Sequence, residues 1–182
     1  KVTTTTLVSD DFHKRTDCCK QSPYKLLYTG RIDLAKGIIE MINAIFMLLK
    51  EGISCKLDIV GWDDNGGSSL GKINDKIYKL NLENRVIFHG KKSVGKELNE
   101  YYRKAHIYLI PSYHEGFPRA IWEAIANSLP VIATRVGSIP FVLDDRKTAM
   151  LIEPKNSIDL ANAIKALISD GNLRQELILN GY

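Results

Sequence analysis

KLLYTGRIDLAKGIIEMINAIFMLLKEGISCKLDIVG, residues 25–61, decides the fold. Two short runs rich in Leu, Ile, Val and Tyr, KLLYTG (25–30) and CKLDIVG (55–61), flank an amphipathic stretch over 35–50. Apolar runs of this length suit strands buried on both faces, and strand, helix, strand in that order reads as a parallel crossover unit. The same grammar continues through RVIFHG (85–90), HIYLIPS (106–112), LPVIATR (129–135) and AMLIEP (149–154), with helical segments near 69–82, 95–104, 118–127, 138–144 and 157–168. Six strands alternating with helices predict an α/β fold: a doubly wound, mainly parallel, six-stranded Rossmann-like sheet flanked by helices. Residues 1–24 are polar, Thr-rich and aperiodic. They read as a linker or leading segment, compatible with a short edge strand over Thr4–Val8. A last helical stretch over 172–180 opens a C-terminal segment, 169–182, so the nucleotide-binding layer is expected to occupy 25–168.

Composition narrows the function classes. The 182 residues are 45% hydrophobic and 25% charged, with a net charge of +4, which is ordinary for a folded domain and excludes a disordered chain. The longest apolar patches, such as Ile45–Leu49, fall far short of the ~20 residues of a membrane span. A mild basic excess without a clustered basic face permits an anionic ligand and argues against nucleic acid. Three cysteines, two of them adjacent at Cys18 and Cys19, fit neither a disulfide framework nor a zinc spacing. Reduced thiols and the lack of a signal-peptide pattern point to the cytoplasm. The first residue is Lys1, so the chain is expected to be a piece of something longer.

In such folds ligands bind beyond the carboxyl ends of the strands. The first strand is followed by Gly30-Arg31-Ile32-Asp33-Leu34-Ala35-Lys36-Gly37. With Asp33 as N-cap, Lys36 falls in the first helical turn, where a cation opposes the macrodipole, and Gly37 lies inside the helix at a cost of about 1 kcal/mol. An anion held by Arg31, Lys36 and the helix amides resolves both anomalies. A surface Arg and Lys beside a turn glycine fits the residues equally. After the fourth strand come His114, Glu115, Gly116, Phe117 and Pro118, with Glu123 in the second turn of the next helix if Pro118 opens it. Two carboxylates so placed suit the grip on different parts of one ligand better than the close pair, about 5 Å apart, of a retaining glycosidase. Trp122 reads as core or domain-contact surface. The Gly137-Ser138 turn after the fifth strand offers backbone amides, a generic signal.

Taken in order, GRIDLAKG, IVG, PSYHEGFPRAIWEA and PVIATRVGSIP resemble the carboxyl-terminal, donor-binding domain of family 4 (group 1) retaining glycosyltransferases with the GT-B fold. The resemblance covers roughly Lys25 to Tyr182 and is most specific at the glutamate pair, Glu115 and Glu123. It implies a hexosyl-type transfer from a nucleoside-diphosphate sugar to a glycan or glycolipid, with retention, in cell-surface polysaccharide assembly. By the resemblance, Arg31 and Lys36 hold the donor diphosphate, Glu115 lies near the transferred sugar, and Glu123 accepts from the ribose hydroxyls. Gly30, Gly116, Phe117 and Pro118 are implied to line the substrate, and the turn at His89 and Gly90 to carry the base. No metal or other cofactor is implied, because Arg and Lys stand where other transferases use a cation. The acceptor is implied to sit on an amino-terminal domain absent here, so this piece alone is expected to be inactive. Peripheral contact with the inner face of the membrane in the full-length protein is left open.

Three positions depart from the family pattern: Ser138 for a second glycine, Phe141 for an acidic residue, and Ala149 for a glycine. Rival readings also carry distinct expectations. A nicotinamide dehydrogenase would want GxGxxG after the first strand, which TGRIDLAKG lacks. A nucleotide-sugar epimerase of similar architecture shares the nucleoside-diphosphate leaving group. A catalytically silent nucleotide-binding or interaction domain would keep the fold without the intact set Arg31, Lys36, Glu115 and Glu123.

Overall fold

A computed structural model of the chain describes residues 7–17, 19, 21–64, 67–116 and 118–181, with Ser68 as backbone only. The strands are β1 (Tyr24–Arg31), β2 (Cys55–Trp62), β3 (Val86–Phe88), β4 (Ile107–Ile110), β5 (Val131–Thr134) and β6 (Met150–Ile152). They form one sheet in the order β3-β2-β1-β4-β5-β6, with every pairing parallel. Each run read from the sequence supplies one strand. The helices are α1 (Ile38–Lys50), α2 (Ser68–Lys79), α3 (Lys96–Lys104), α4 (Arg119–Ala126), α5 (Ile139–Val142), α6 (Ser157–Ser169) and α7 (Gly171–Gly181). Helix α5 is shorter than the 138–144 expected, because Leu143 turns extended at φ −122° and ends it.

The sheet is covered on both faces, which is why its strands read as unbroken apolar runs. Leu26 to Thr29 are buried in succession, and β4 and β5 are buried throughout. Helix α1 buries Ile38, Met41, Ile42, Ile45 and Leu48, the stripe that a 3.6-residue period places on one side. It packs beside α2 and α6, while α3 packs beside α4. Right-handed crossovers put α1 and α2 on one face and α3 and α4 on the other, and α6 joins the first face by packing on α1.

The leading segment is tied down. Leu7 and Val8 are not in a strand, and Thr4 to Thr6 lie outside the described residues. The main chain of His13 donates to Ala126 O at 2.8 Å. Arg15 donates to the carbonyls of Arg103 (2.8 Å), Tyr102 (2.9 Å) and Asn127 (3.2 Å), at the C-terminal ends of α3 and α4. A cation there meets orphan carbonyls and the negative end of each macrodipole. Asp17 pairs with Arg174 of α7 at 2.8 Å. Cys19 and Cys55 are buried, the Cys55 thiol pKa is pushed up to about 12 by burial, and Cys18 lies outside the described residues. No described helix is long and apolar enough to cross a membrane.

The strand order reverses direction between β1 and β4. β1 pairs β2 along its whole length, to Arg31↔Trp62, but pairs β4 only at Leu26↔Ile107 and Leu27↔Tyr108. Beyond Leu27 the ladder between the two strands ends, and the crevice opens there.

Candidate functional site

The β1–α1 connection differs from its sequence reading in an instructive way. Asp33 does cap a turn, its carboxylate accepting from Ala35 N–H at 2.8 Å, but the turn is a separate 3₁₀ helix, Leu34–Lys36. Lys36 ends that turn instead of sitting in the first turn of α1. Gly37 is the junction, not a helix-interior residue. Its φ is +72°, and a Cβ there would lie 2.1 Å from Pro111 O at the end of β4. Glycine is required by the left-handed turn and by that close approach, so neither residue breaks a local rule.

Lys36 is carried onto the β4–α4 loop, where Nζ meets Glu115 Oε1 at 2.6 Å; the side chains are 18% and 12% exposed. The two residues expected to bind diphosphate and sugar are thus one ion pair in this structure. Arg31 is more open, 56% exposed, with its guanidinium 4.0 Å from Asp64 Oδ2. Gly30, also expected at the substrate, pairs across the sheet with Gly61.

The loop bearing Glu115 is held from both sides. Tyr113 N–H donates to Ala35 O at 2.8 Å and its hydroxyl to Glu40 Oε1 at 2.7 Å. From the other side Gly137, at φ +56°, approaches so closely that a Cβ would lie 1.7 Å from Glu115 O. The hydroxyl of Ser138, where the family pattern has a glycine, donates to Gly116 O. The 137–138 turn therefore buttresses the glutamate loop. His114 is exposed, Phe117 lies outside the described residues, and Pro118 is buried one position before α4, not at its first residue. Phe141 is 88% exposed, Ala149 is fully buried, and Trp122 packs partly buried against the core.

Glu123 sits in the second turn of α4, buried as a residue, with both carboxylate oxygens engaged. Oε2 accepts from the Tyr102 hydroxyl at 2.9 Å, and Oε1 from Arg119 Nε at 3.1 Å. Beside it lies a cleft of about 270 Å³ along the ends of β1 and β2. Thr29, Gly30, Trp62, Lys91 and Arg119 line it together with Glu123. Lys91 Nζ stands 4.9 Å from the centroid of the Trp62 ring, which is 40% exposed. This is a buried carboxylate at the wall of a crevice whose other lining is largely aliphatic, with the cations Lys91, Lys92 and Arg119 and one aromatic face, Trp62, at its rim. It suits a ligand that combines hydroxyls, negative charge and a planar ring.

Several of these residues were not singled out in the sequence. Arg119 had a signal, its i,i+4 spacing to Glu123. Tyr102, within the polar helix KELNEYYRK, and Trp62, at the end of β2, had none. At the turn after β3, Gly90 O accepts from Gly61 N–H at 3.0 Å. The His89 side chain turns away to Asp58 (2.6 Å) and the Tyr101 ring (centroids 4.8 Å), lining a separate groove. Where a dehydrogenase would place an acid at the end of its second strand, Trp62 stands, and Asp63 instead accepts from Leu70 N–H of α2 at 3.2 Å.

A family model described as glycosyl transferases group 1 matches residues 11–182. Protein CapJ of Staphylococcus aureus is 32% identical over 170 residues, 93% of this chain and 41% of that protein. The C-terminal domain of a glycosyl transferase group 1 family protein, LpcC of Francisella tularensis, is similar in structure at a TM-score of 0.78 and 32% identity, covering 87% of this chain and 82% of that one. Alr3699/HepE of Anabaena, solved in complex with UDP, shares the fold at a TM-score of 0.79 and 24% identity, covering 87% of this chain and 42% of that one. The chain spans about two-fifths of the length of the curated relatives it matches.

Proposed function

We propose, from the premise that this chain belongs to the group 1 glycosyltransferases, that it is the donor-binding half of an enzyme transferring a hexosyl unit from a nucleoside-diphosphate sugar. The observation that carries this reading is the buried Glu123 carboxylate on the wall of a cleft with Lys91 and Arg119, at the end of the sheet where the loops after β1 and β4 hold the Lys36–Glu115 pair. A ribose diol needs a fixed acceptor, and a helical, buried glutamate supplies one. A diphosphate needs cations, and Arg31 and Lys36 flank the first turn beyond β1. A nucleoside diphosphate is also the ligand seen in Alr3699/HepE, a protein of the same fold.

In the transfer, the bond from the anomeric carbon to the β-phosphate oxygen breaks, its electron pair stays on the diphosphate, and an acceptor hydroxyl oxygen bonds the same carbon with retention, its proton passing to the departing phosphate oxygen. Fixed positive charge aimed at the leaving oxygen lowers that barrier by several kcal/mol. Lys36 is suited to the task while paired, since an ammonium has three N–H donors and Glu115 Oε1 takes one. Glu115, held at the loop apex, then faces the sugar. Charge compensation then falls to Arg31 and Lys36, without a divalent cation. Acceptor binding falls to another domain, and cell-surface polysaccharide or glycolipid assembly at the cytoplasmic side is the proposed setting.

Calorimetric titration of the chain with UDP, GDP and ADP beside the matching nucleosides tests this. Binding of one diphosphate but not its nucleoside, lost in Lys36→Ala and weakened about tenfold or more in Glu123→Ala, is expected. Equal affinity for nucleoside and diphosphate would contradict it.

A further inference from the structure

We infer that Tyr102 on α3 is a positioning residue for the donor, aiming the Glu123 carboxylate at the ribose diol without touching the nucleotide. The inference rests on the donor reading above and deepens it.

Three hydroxyls and one carboxylate form a line beneath the cleft. The Tyr102 hydroxyl lies 2.9 Å from Glu123 Oε2 and 2.7 Å from Thr29 Oγ1; the Tyr108 hydroxyl lies 3.1 Å from Thr29 Oγ1 and 3.3 Å from Thr29 O. Tyr102 and Tyr108 are fully buried, and Thr29 and Glu123 nearly so. Each hydroxyl has one hydrogen to give, and an ionised carboxylate gives none. With Tyr102 donating to Glu123, Thr29 must donate to Tyr102, and the single Tyr108 hydrogen is then shared between Thr29 Oγ1 and Thr29 O, both accepting. The line then has one polarity, from β4 through β1 and α3 into α4, and it ends on Oε2.

The consequence is a lone-pair count. A carboxylate offers about four acceptor positions. Tyr102 fills one on Oε2 and Arg119 one on Oε1, which leaves one on each oxygen. Two adjacent ribose hydroxyls, each donating once, match that remainder. The two existing donors are unequal as anchors. The Arg119 side chain is 42% exposed and one turn away on the same helix, so it moves with solvent and holds little. Tyr102 comes from a different helix and has no room to turn, so it fixes the plane of the carboxylate.

Removing the hydroxyl while keeping the ring separates aim from packing. The chain, Tyr102→Phe, Thr29→Val and Glu123→Ala are titrated with UDP and with 2′,3′-dideoxy-UDP, and the ribo-to-dideoxy affinity ratio is the readout. A structural role for Tyr102 would shift both affinities together and leave that ratio intact. The expected result is a ratio of about tenfold or more for the unmutated chain, lost in Glu123→Ala, largely lost in Tyr102→Phe and partly lost in Thr29→Val. A Tyr102→Phe variant that keeps the full ratio while Glu123→Ala loses it overturns the inference and leaves the donor reading standing. An unmutated chain that binds neither nucleotide, or both equally, overturns the donor reading and this inference with it.

Discussion

The two glutamates of the α4 region, eight residues apart, are held by opposite means. Glu115 is on a loop whose backbone is wedged between two glycine turns and whose carboxylate meets a mobile kind of partner, a lysine ammonium. Glu123 is on a helix, and its carboxylate ends a line of buried hydroxyls rooted in the central strands. On the proposed function, the glutamate assigned to the sugar is the one whose partner has spare donors, and the glutamate assigned to the ribose diol is the one fixed by buried hydroxyls.

The comparison breaks first at the loop. Gly137→Ala forces a side chain into the left-handed region and onto Glu115 O, so we expect a loss of about 3 kcal/mol or more in chemical denaturation, with Glu123 unaffected in place. Next in size is Lys36→Met, which leaves the largely buried Glu115 carboxylate unpaired. About 2 kcal/mol of stability is expected to go. Adding Glu115→Gln should restore most of it, whereas diphosphate affinity should stay low in both variants. Recovery of affinity in the double variant would show that Lys36 acts only on Glu115.

A third test lies at the far end of β4 and serves as a background for the others. His106 Nδ1 accepts from Lys25 N–H at 3.2 Å, and burial together with Lys25 and Arg15 lowers its pKa from 6.5 to about 4. Below pH 6.5 the unfolded chain takes up a proton that the folded chain refuses. Stability should therefore be full above pH 6.5 and decline as pH falls toward 4, by about 1–2 kcal/mol for a half-exposed ring screened by water. The slope should shrink in His106→Asn melts, the remainder coming from groups such as His13, whose pKa is lowered by burial and by Arg103 and Arg15. Smallest is Ser138→Ala, which removes the hydroxyl donated to Gly116 O; about 1 kcal/mol is expected, felt at Glu115 and not at Glu123.

The fold was legible because burial on both faces writes itself as unbroken apolar runs, as in Ile107–Ile110 and Val131–Thr134. The cap at Asp33 was legible for a similarly local reason. Lys36 was placed in α1 because the sequence shows no sign that Pro111 would press against Gly37 and split the turn from the helix. Its pairing with Glu115 spans 79 residues, and no local spacing marks it. Tyr102 reads as one more aromatic on an amphipathic helix; only side-chain packing shows where its hydroxyl points. The leading segment looked like a linker because Arg15 is held by backbone carbonyls, which every residue has.

The most direct measurement is a crystal structure of the chain with UDP bound. The account predicts both ribose hydroxyls within hydrogen-bond distance of the Glu123 carboxylate, Tyr102 still donating to Oε2, and the diphosphate between Arg31 and Lys36. A nucleotide lying in the groove of His89 and Tyr101, or one in the cleft with its ribose turned away from Glu123, would contradict it.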